Sequence, residues 1–240
     1  MVLRGMTQTP RPPGPALRTF LLDIDGTLIY SNDAHARAWV GALAEHGYVV
    51  PFERVRPLIG MGGDKVLPQL IGVAHDSAEG KRISERRSEI FLERYVPQLT
   101  GLPGARALLE RMQQAGLTLV VATSAKKDEY QKLIKIAGVE GIVDDQTTAD
   151  DASRSKPDPD IIVAALKKAG VPPAEGVMLG DTPYDIQAAR AAGVGCVALR
   201  SGGWTDEDLT DALAVYDDPA DLLAHYDASP FARPPRPAAA

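Results

Sequence analysis

The sequence predicts an α/β fold: a doubly wound, mostly parallel, Rossmann-like sheet with a small helical domain inserted into it. Short continuous apolar runs alternate with amphipathic stretches along most of the 240 residues. This pattern is typical of a parallel sheet that helices cover on both faces. The alternation stops between residues 32 and 99, where helical patterns occur without a convincing strand. A hydrophobic share of 45% is sufficient to build such a core.

Six apolar runs are the candidate strands, and the last of them is the least regular. They are Phe20–Leu22, Leu117–Val121, Gly141–Val143, Val177–Leu179, Gly195–Leu199 and Ala212–Tyr216. The single cysteine, Cys196, lies within the fifth run, which favours a small buried hydrophobe over a reactive thiol. One cysteine also excludes an intramolecular disulfide and a cysteine-ligated zinc site.

Proline and glycine mark the ends of the helices that connect these strands. After residue 100, helices are predicted over residues 103–115, 158–170 and 182–193, each with a proline near its start and a glycine near its end. The helices predicted between the first two strands span residues 35–47, 64–71 and 78–96.

The predicted domains follow from these patterns. Residues 17–30 and 101–228 form the α/β core, residues 31–100 form a helical cap, and the proline-rich segments 1–16 and 229–240 are tails with little to bury. We find no signal peptide and no apolar run near the roughly 18 residues of a membrane helix, so we expect a cytoplasmic protein. The net charge of -6 argues against binding to nucleic acid or to an anionic membrane.

Two aspartates follow the first strand. Asp23 and Asp25 are separated by one residue, and strand side chains alternate, so the two carboxylates point to the same side. In open parallel sheets, ligands bind in the crevice beyond the carboxyl ends of the strands. Gly26 then allows the chain to turn away sharply. Taken alone, the motif is equally compatible with a capped turn, which aspartate and glycine often form.

Polar residues also follow the later strands. Thr123 and Ser124 end the second run, Lys156 precedes a predicted helix, and Asp181 ends the fourth run with Asp185 four residues later. Each has an ordinary alternative: hydroxyls and carboxylates cap helices, and lysine is common on surfaces.

Taken together, these residues favour a functional site over the ordinary structural alternatives. Four carboxylates, those of Asp23, Asp25, Asp181 and Asp185, fall near one edge of the predicted sheet. Two like charges 4 Å apart repel by about 4 kcal/mol at an effective dielectric near 20, a large fraction of the ~5–15 kcal/mol stability of a domain. Cations must compensate them. Lys156 supplies one, and a divalent ion with oxygen ligands, Mg²⁺ above all, is the natural second.

These motifs together resemble those of the haloacid dehalogenase superfamily of aspartate-nucleophile phosphotransferases. The resemblance rests on Asp23-Ile24-Asp25-Gly26-Thr27, on Thr123 after an apolar strand, on Lys156 before a proline, and on Gly180-Asp181 with Asp185. A helical insertion directly after the first motif is similar to the cap of the phosphoglycolate-phosphatase-like and β-phosphoglucomutase-like members.

The resemblance implies a separate catalytic role for each of these residues. Asp23 attacks phosphorus to form an aspartyl-phosphate, and Asp25 protonates the leaving alcohol and then activates water. Thr123 and nearby backbone N–H groups hold the phosphoryl oxygens, and Lys156 neutralises negative charge. The Mg²⁺ ligands are Asp23, the backbone carbonyl of Asp25, and Asp181, with Asp185 in support. The expected substrate-binding residues are Gly26, Thr27 and Ser124 near the sheet edge, with Lys65 and His35 from the cap.

The expected activity is hydrolysis of a small phosphorylated metabolite by a monomer or homodimer. A carboxyl at position 25 separates phosphatases and mutases from dehalogenases, and the resemblance implies a second carboxylate before the metal aspartate in sugar-phosphate mutases, where this chain has Gly180. A β-phosphoglucomutase-like mutase and a catalytically silent binding protein remain the alternatives.

In the predicted cap, the segment Gly60–Lys65 superficially resembles a nucleotide-binding loop, but it neither follows a strand nor contains Lys-Ser/Thr. We expect a cap loop that reaches the active site, with Lys65 in contact with the substrate. A structural role for His35 is an open alternative to a role in the site. The basic pairs Lys81-Arg82 and Arg86-Arg87 predict a solvated helix face.

Overall fold

A computed structural model describes residues 17–229 and 232, so almost all of both predicted tails lies outside the described residues. Its sheet has six strands: β1 (Thr19–Leu22), β2 (Thr118–Ala122), β3 (Asp145–Thr147), β4 (Gly176–Gly180), β5 (Gly195–Leu199) and β6 (Ala214–Tyr216). All neighbouring pairs are parallel, in the order β3-β2-β1-β4-β5-β6. The predicted doubly wound α/β fold is confirmed.

The strand order places a crevice beside β1. The order reverses between β1 and β4, and a ligand crevice forms at such a reversal, outside the carboxyl ends of the strands. Leu22, the last residue of β1, is level with Val121 of β2 and Leu179 of β4. The segments that follow these three strands therefore begin at the same edge.

Helices cover both faces of the sheet. They are α1 (Asn32–Glu45), α2 (Phe52–Val55), α3 (Gly63–Ile71), α4 (Ala78–Ile90), α5 (Ala105–Gln114), α6 (Lys127–Ile136), α7 (Asp160–Ala169), α8 (Pro183–Ala191) and α9 (Pro219–Ala224). Phe20 and Leu22 of β1 belong to one buried cluster with side chains of α5, α6 and α9. Leu21, which points the opposite way, packs with α7 and α8. This two-sided burial explains why the central strands are apolar throughout rather than alternating.

The four helices α1–α4 lie between β1 and β2, and α1 packs along α4. The two chain segments that connect them to the sheet run side by side: the Tyr30 N–H donates to the Thr100 carbonyl at 3.0 Å, and the Leu102 N–H donates to the Leu28 carbonyl at 2.9 Å. Buried residues of α1 and α4 are continuous with the core on one face of the sheet. The boundaries predicted for a separate cap, residues 31–100, stay a prediction.

Two sequence-based expectations need correction. The run Gly141–Val143 is not a strand; Gly141 takes a left-handed turn (φ 77°), and the Ile142 N–H closes that turn on the Val139 carbonyl. The strand is Asp145–Thr147, at the sheet edge, where half-exposed polar side chains are tolerated. Helices α2, α6 and α9 were not predicted either.

Cys196 is 3% exposed, and burial raises the pKa of its thiol well above the usual range. It is the small buried hydrophobe that its sequence context predicts. Within residues 17–229, none of the helices combines the length and the apolar character needed to cross a membrane.

Candidate active site

The first acidic motif continues β1 into the crevice. The Asp23 N–H donates to the Leu179 carbonyl at 2.9 Å, so the ladder between β1 and β4 extends to the first aspartate. Gly26 then turns the chain with a φ of 77°, a conformation that favours glycine. A Cβ atom at this position would lie 2.1 Å from Asp181 Oδ2. Glycine is therefore needed both for the turn and for the close approach of Asp181.

Lys156 joins the carboxylates that follow different strands. Its Nζ lies 2.6 Å from Asp23 Oδ1 and 2.7 Å from Asp185 Oδ1, and the side chain is 1% exposed. Burial alone would lower the pKa of Lys156, but Asp185 and Asp23 raise it, so the lysine is a permanent cation. Burial raises the pKa of Asp23 to about 7 despite the opposing effect of Lys156, and the negative charges of Asp185 and Asp25 add to the increase.

Asp181 and Asp185 are held rigidly at the end of β4. Asp181 accepts hydrogen bonds from Asn32 Nδ2 at 2.7 Å and from Thr27 Oγ1 at 3.2 Å. Asp185 forms a capping box with Thr182 at the start of α8: its Oδ2 accepts from the Thr182 N–H at 3.0 Å and hydroxyl at 2.6 Å. The helix-capping role that the sequence allowed for Asp185 is thus real, and its Oδ1 still reaches Lys156.

A divalent cation fits this cluster. Asp23, Asp181 and Asp185 each offer a carboxylate oxygen, and these oxygens lie within 4.8 Å of one another. Burial and the charges of Asp185 and Asp23 raise the pKa of Asp181 well above its usual range, so one lysine leaves the cluster short of positive charge. Asn32 Oδ1 is buried and has no hydrogen-bond partner among the described residues. Hard oxygen donors around a charge deficit are what Mg²⁺ and similar ions bind.

Asp25 is directed towards the helical segment, which consists of α1–α4. Its Oδ1 accepts from Ser31 Oγ at 2.5 Å and contacts His35 Nε2 at 2.9 Å, and His35 stacks on Phe91 with 3.8 Å between ring centroids. Burial would raise the pKa of Asp25, but His35, Ser31 and the more distant Arg87 together lower it. Of the four acidic residues predicted as metal ligands, Asp25 is the one whose carboxylate lies outside the cluster, in keeping with the expectation that it would use its backbone carbonyl.

Thr123 and Ser124 end β2 beside the acidic cluster. The Thr123 N–H still pairs with the Thr147 carbonyl of β3, and its hydroxyl accepts from the Ala125 N–H at 3.1 Å. Thr123 is fully buried. Ser124 Oγ is buried and has no hydrogen-bond partner among the described residues.

Two adjoining cavities open from this edge. The smaller, about 40 Å³, is lined by Asp23, Asp25 and His35. The larger, about 250 Å³, is lined by Thr123, by Ser84 of α4 and by segments of α1 and α3. Their walls share four residues, namely Trp39, Gly62, Arg87 and Ser124. A small ligand can therefore reach from the acidic cluster into the helical segment.

The segment Gly60–Lys65, whose last three residues begin α3, contacts the sheet side. Asp64 bonds the hydroxyl and, at 3.2 Å, the N–H of Ser155, and Lys65 Nζ lies 2.5 Å from Asp158 Oδ2. Both partners lie within two residues of Lys156. Since Lys65 is engaged by Asp158, its contact with the substrate stays a prediction.

The expectation of a solvated basic face on α4 holds for Lys81 and Arg82 but is wrong for Arg87. Its guanidinium donates to both oxygens of the buried Glu129 of α6, at 3.0 and 3.2 Å, and lies 5.2 Å from the Trp39 ring centroid. Its role is revealed by the ion pair with Glu129, 42 positions later, and not by the local pattern of α4.

Two further site residues were not predicted. Ser31 stands at the N-cap of α1, yet its side chain makes no capping bond and goes to Asp25 instead. Asn32 orients Asp181. Their position in the sequence, directly after the first motif and at the start of a helix, could have identified Ser31 and Asn32 as site residues.

Comparisons with known proteins agree with this geometry. Residues 17–193 match the family model of the haloacid dehalogenase-like hydrolases. The chain is 31% identical over 218 residues to a phosphoglycolate phosphatase of Rhodospirillum rubrum, covering 85% of this chain and 89% of that protein. It is 34% identical over 185 residues to the chloroplastic protein Suppressor of quenching 1 of Arabidopsis thaliana; this match covers 75% of the chain but only 18% of that much longer relative.

A solved structure of similar shape is that of a hydrolase from Pseudomonas syringae. Its TM-score is 0.82 at 36% sequence identity, and the superposition covers 88% of this chain and 98% of the other.

Proposed function

The chain belongs to the haloacid dehalogenase-like hydrolase family, and from that premise we propose that it is a Mg²⁺-dependent phosphatase of small phosphorylated metabolites that works through an aspartyl-phosphate. The observation that carries the proposal is the buried cluster in which Lys156 lies 2.6 Å from Asp23 and 2.7 Å from Asp185, with Asp181 alongside. Three buried carboxylates around a single lysine leave an excess of negative charge that a divalent cation would compensate.

In the first half of the reaction, a carboxylate oxygen of Asp23 attacks phosphorus. A P–O bond forms to Asp23 as the ester P–O bond breaks, and the alcohol leaves. Lys156 lowers the pKa of Asp23 against the effect of burial, which favours the anionic nucleophile, and then offsets charge on the phosphoryl oxygens. We expect Thr123, Ser124, Gly26 and Thr27 to hold these oxygens.

Asp25 carries the proton in both halves. It gives a proton to the leaving oxygen, and it then takes one from the water that attacks the aspartyl-phosphate and releases inorganic phosphate. Both of its hydrogen bonds within the described residues fall on Oδ1, so Oδ2 is available for this exchange. Its lowered pKa suits the second step; the negative charge of an incoming phosphoryl group raises the pKa again for the first.

Asp23, Asp181 and the backbone carbonyl of Asp25 would hold the Mg²⁺ ion, with Asp185 in support. When bound, the ion neutralises negative charge on the phosphoryl group and on the surrounding carboxylates.

Gly180 supports hydrolysis over phosphomutase chemistry. A Cβ atom at position 180 would lie 2.5 Å from both Cβ and Cγ of Asp185. A second carboxylate, expected at this position in a sugar-phosphate mutase, has no room while Asp185 occupies its capping box. A catalytically silent binding protein is disfavoured because Asp23, Asp25, Thr123, Lys156 and Asp181 are all in place.

The name of the Rhodospirillum relative makes phosphoglycolate one candidate substrate, and sugar phosphates are others. We further propose that residues 31–100 act as a cap that closes over this substrate and excludes water, and that the protein works in the cytoplasm as a monomer or homodimer.

The test is phosphate release from phenyl phosphate, with and without Mg²⁺, by the wild type and by Asp23→Asn. We expect metal-dependent release that falls by at least about 10⁴-fold in the variant, since the nucleophile is lost. The exposed Asp33→Asn serves as the matched control and should retain activity. Release that survives Asp23→Asn would show that another group is the nucleophile.

A further inference from the structure

The turn that follows β5 contacts both acidic segments of the candidate site. It is a single 3₁₀ turn, Arg200–Gly202, which begins directly after the strand. The Ser201 hydroxyl donates to the Gly26 carbonyl at 2.6 Å. A Cβ atom at position 202 would lie 2.3 Å from Asp181 Oδ2 and 2.5 Å from the Asp181 carbonyl oxygen. The backbone at Gly202 therefore lies against Asp181 at a distance that only glycine allows.

Arg56, which directly follows α2, binds the same turn from the helical segment. Its Nη2 donates to the Gly202 carbonyl at 2.6 Å, and its Nε donates to Asp33 Oδ1 of α1 at 2.7 Å. The carbonyl of the next residue, Pro57, accepts from the Tyr184 hydroxyl in the first turn of α8 at 2.7 Å. The helical segment is thus bonded both to the turn that contacts Asp181 and to the helix that begins two residues after it.

The turn is closed by its own backbone, so the bond from Arg56 adds something else. The Gly203 N–H donates to the Arg200 carbonyl at 2.8 Å, and Gly203 has the left-handed conformation that ends the turn (φ 83°). Arg56 also brings little uncompensated charge to the site, since Asp33 pairs with it. What the bond between Arg56 and Gly202 fixes is the position of the turn relative to the helical segment.

We propose that Ser201 and Gly202 are positioning residues for the Mg²⁺ site, and that Arg56 couples this site to the docking of the helical segment. This inference rests on the proposed function. Ser201 fixes the peptide group next to the Asp25 carbonyl, which is an expected ligand, and Gly202 limits where the Asp181 carboxylate can lie. Replacing residues that orient the ligands of a metal commonly weakens metal binding by about 10- to 100-fold.

The coupling acts in both directions. Because the Arg56 bond holds the turn against Asp181, docking of the helical segment strengthens the binding of Mg²⁺. Bound Mg²⁺ must then strengthen docking by the same factor, since a coupling free energy between two binding events is reciprocal. A residue of the helical segment therefore contributes to metal affinity although it contacts none of the carboxylates in the cluster.

The experiment measures Mg²⁺ affinity without substrate, in the full chain at pH 8, from the rise of the thermal unfolding midpoint with Mg²⁺ concentration. Ser201→Ala and Arg56→Met should each raise the Kd for Mg²⁺ about 3- to 10-fold, the effect of one hydrogen bond. Ser201→Thr retains the hydroxyl and should bind Mg²⁺ within about twofold of the wild type. Gly202→Ala adds an atom against Asp181 and should raise the Kd about 10- to 100-fold. Because the other variants add no such clash, they decide the question if Gly202→Ala does not fold.

Arg54→Met is the matched control for Arg56→Met, since Arg54 is an exposed arginine of α2, and it should leave the Kd unchanged. Docking is measured by hydrogen exchange of the Ile59 and Met61 amides, which bond to the Arg56 and Leu58 carbonyls. Saturating Mg²⁺ should slow this exchange at least about threefold in the wild type, and Arg56→Met should remove most of the effect.

A purely structural role would lower the unfolding midpoint without metal and leave the Kd for Mg²⁺ unchanged. That result for Ser201→Ala and Arg56→Met overturns the inference, and an unchanged Kd in Arg56→Met alone overturns the coupling. Failure of the phosphatase proposal looks different: Mg²⁺ binds with the expected pattern across the variants, but the wild type releases no phosphate from any ester tested.

Discussion

The sheet edge and the helical segment that faces it differ in how completely their polar groups are paired. At the sheet edge, Asp23, Lys156 and Asp185 follow three separate strands or loops, are almost fully buried, and compensate one another at 2.6 and 2.7 Å. On the helical side, Ser84 and Arg87 present polar atoms that lack partners among the described residues. Some of the bonds that hold this side to the sheet are partly exposed, as between Lys65 and Asp158.

We propose that the two sides have different functions. Groups that must meet within 3 Å for every substrate are fixed by the strands, whose register places their ends level. We propose that the groups on the facing helices, which are held by packing and side-chain bonds, contact the part of the substrate that varies. Rigid elements hold a reacting constellation more accurately than loops or movable segments do. The comparison can be tested by disturbing each side separately.

The largest effect is expected on the sheet edge. Lys156→Met removes the buried cation and leaves Asp23 and Asp185 without their partner, so the free energy of unfolding should fall by about 3–5 kcal/mol. Urea unfolding at pH 7.5 in the absence of metal measures this loss. Phosphatase activity should disappear with it.

Lys127→Met is the matched control, because Lys127 is an exposed lysine at the start of α6. Its unfolding midpoint should stay close to that of the wild type. Equal stability of the two variants would mean that the acidic cluster does not depend on Lys156.

A smaller effect is expected on the way in which the free energy of unfolding depends on pH and on Mg²⁺. The folded-state pKa of Asp23, about 7, exceeds its usual 3.8, and that of Asp181 is raised as well. Without metal, the folded protein therefore binds more protons than the unfolded chain between pH ~4 and ~7, and stability falls as pH rises through this window. Mg²⁺ binds the ionised carboxylates, so at 100 times its Kd it should restore about 2.7 kcal/mol at pH 8 and much less at pH 5.5.

Thermal unfolding at both pH values, with and without Mg²⁺, checks this prediction. The Asp181→Asn variant should lose most of the response to the metal. A Mg²⁺ effect of the same size at pH 5.5 and pH 8 would contradict the assignment of these carboxylates as ligands.

The smallest effect is expected where the two sides meet. Lys65→Met breaks a partly exposed ion pair worth at most about 1 kcal/mol, so KM should rise about two- to fivefold for every substrate while kcat changes little. A change confined to particular substrates would instead support direct contact between Lys65 and the substrate. Steady-state kinetics with three phosphate esters separates the two results, with the exposed Lys81→Met as the control.

The sequence was informative where a pattern is local. The apolar runs of β1, β2, β4 and β5 were placed within one or two residues, and the strand ends that carry Asp23, Thr123 and Asp181 followed from them. The gathering of Asp23, Lys156, Asp181 and Asp185 could be predicted because parallel strands bring their carboxyl ends to one edge. The roles of these residues stay proposals.

The missed features depend on contacts between distant segments. β3 is polar and three residues long, because its place at the sheet edge demands little burial. Arg87 is of a residue type typical of surfaces, but it pairs inward with Glu129, 42 positions later, and lies over the Trp39 ring. Ser31 gives up the capping bond that its position predicts and bonds Asp25 instead. In each case, packing overrides the local preference.

The paired crossings at Tyr30–Thr100 and Leu28–Leu102 have a consequence for how such proteins diversify. Because the helical segment leaves and rejoins the sheet at one place, its length and sequence can change without altering any strand connection. Insertions are tolerated best where the ends of the inserted segment lie close together. The covering helices can thus be exchanged or remodelled over generations while the sheet beneath keeps the same chemistry, and new specificity can arise without a new fold.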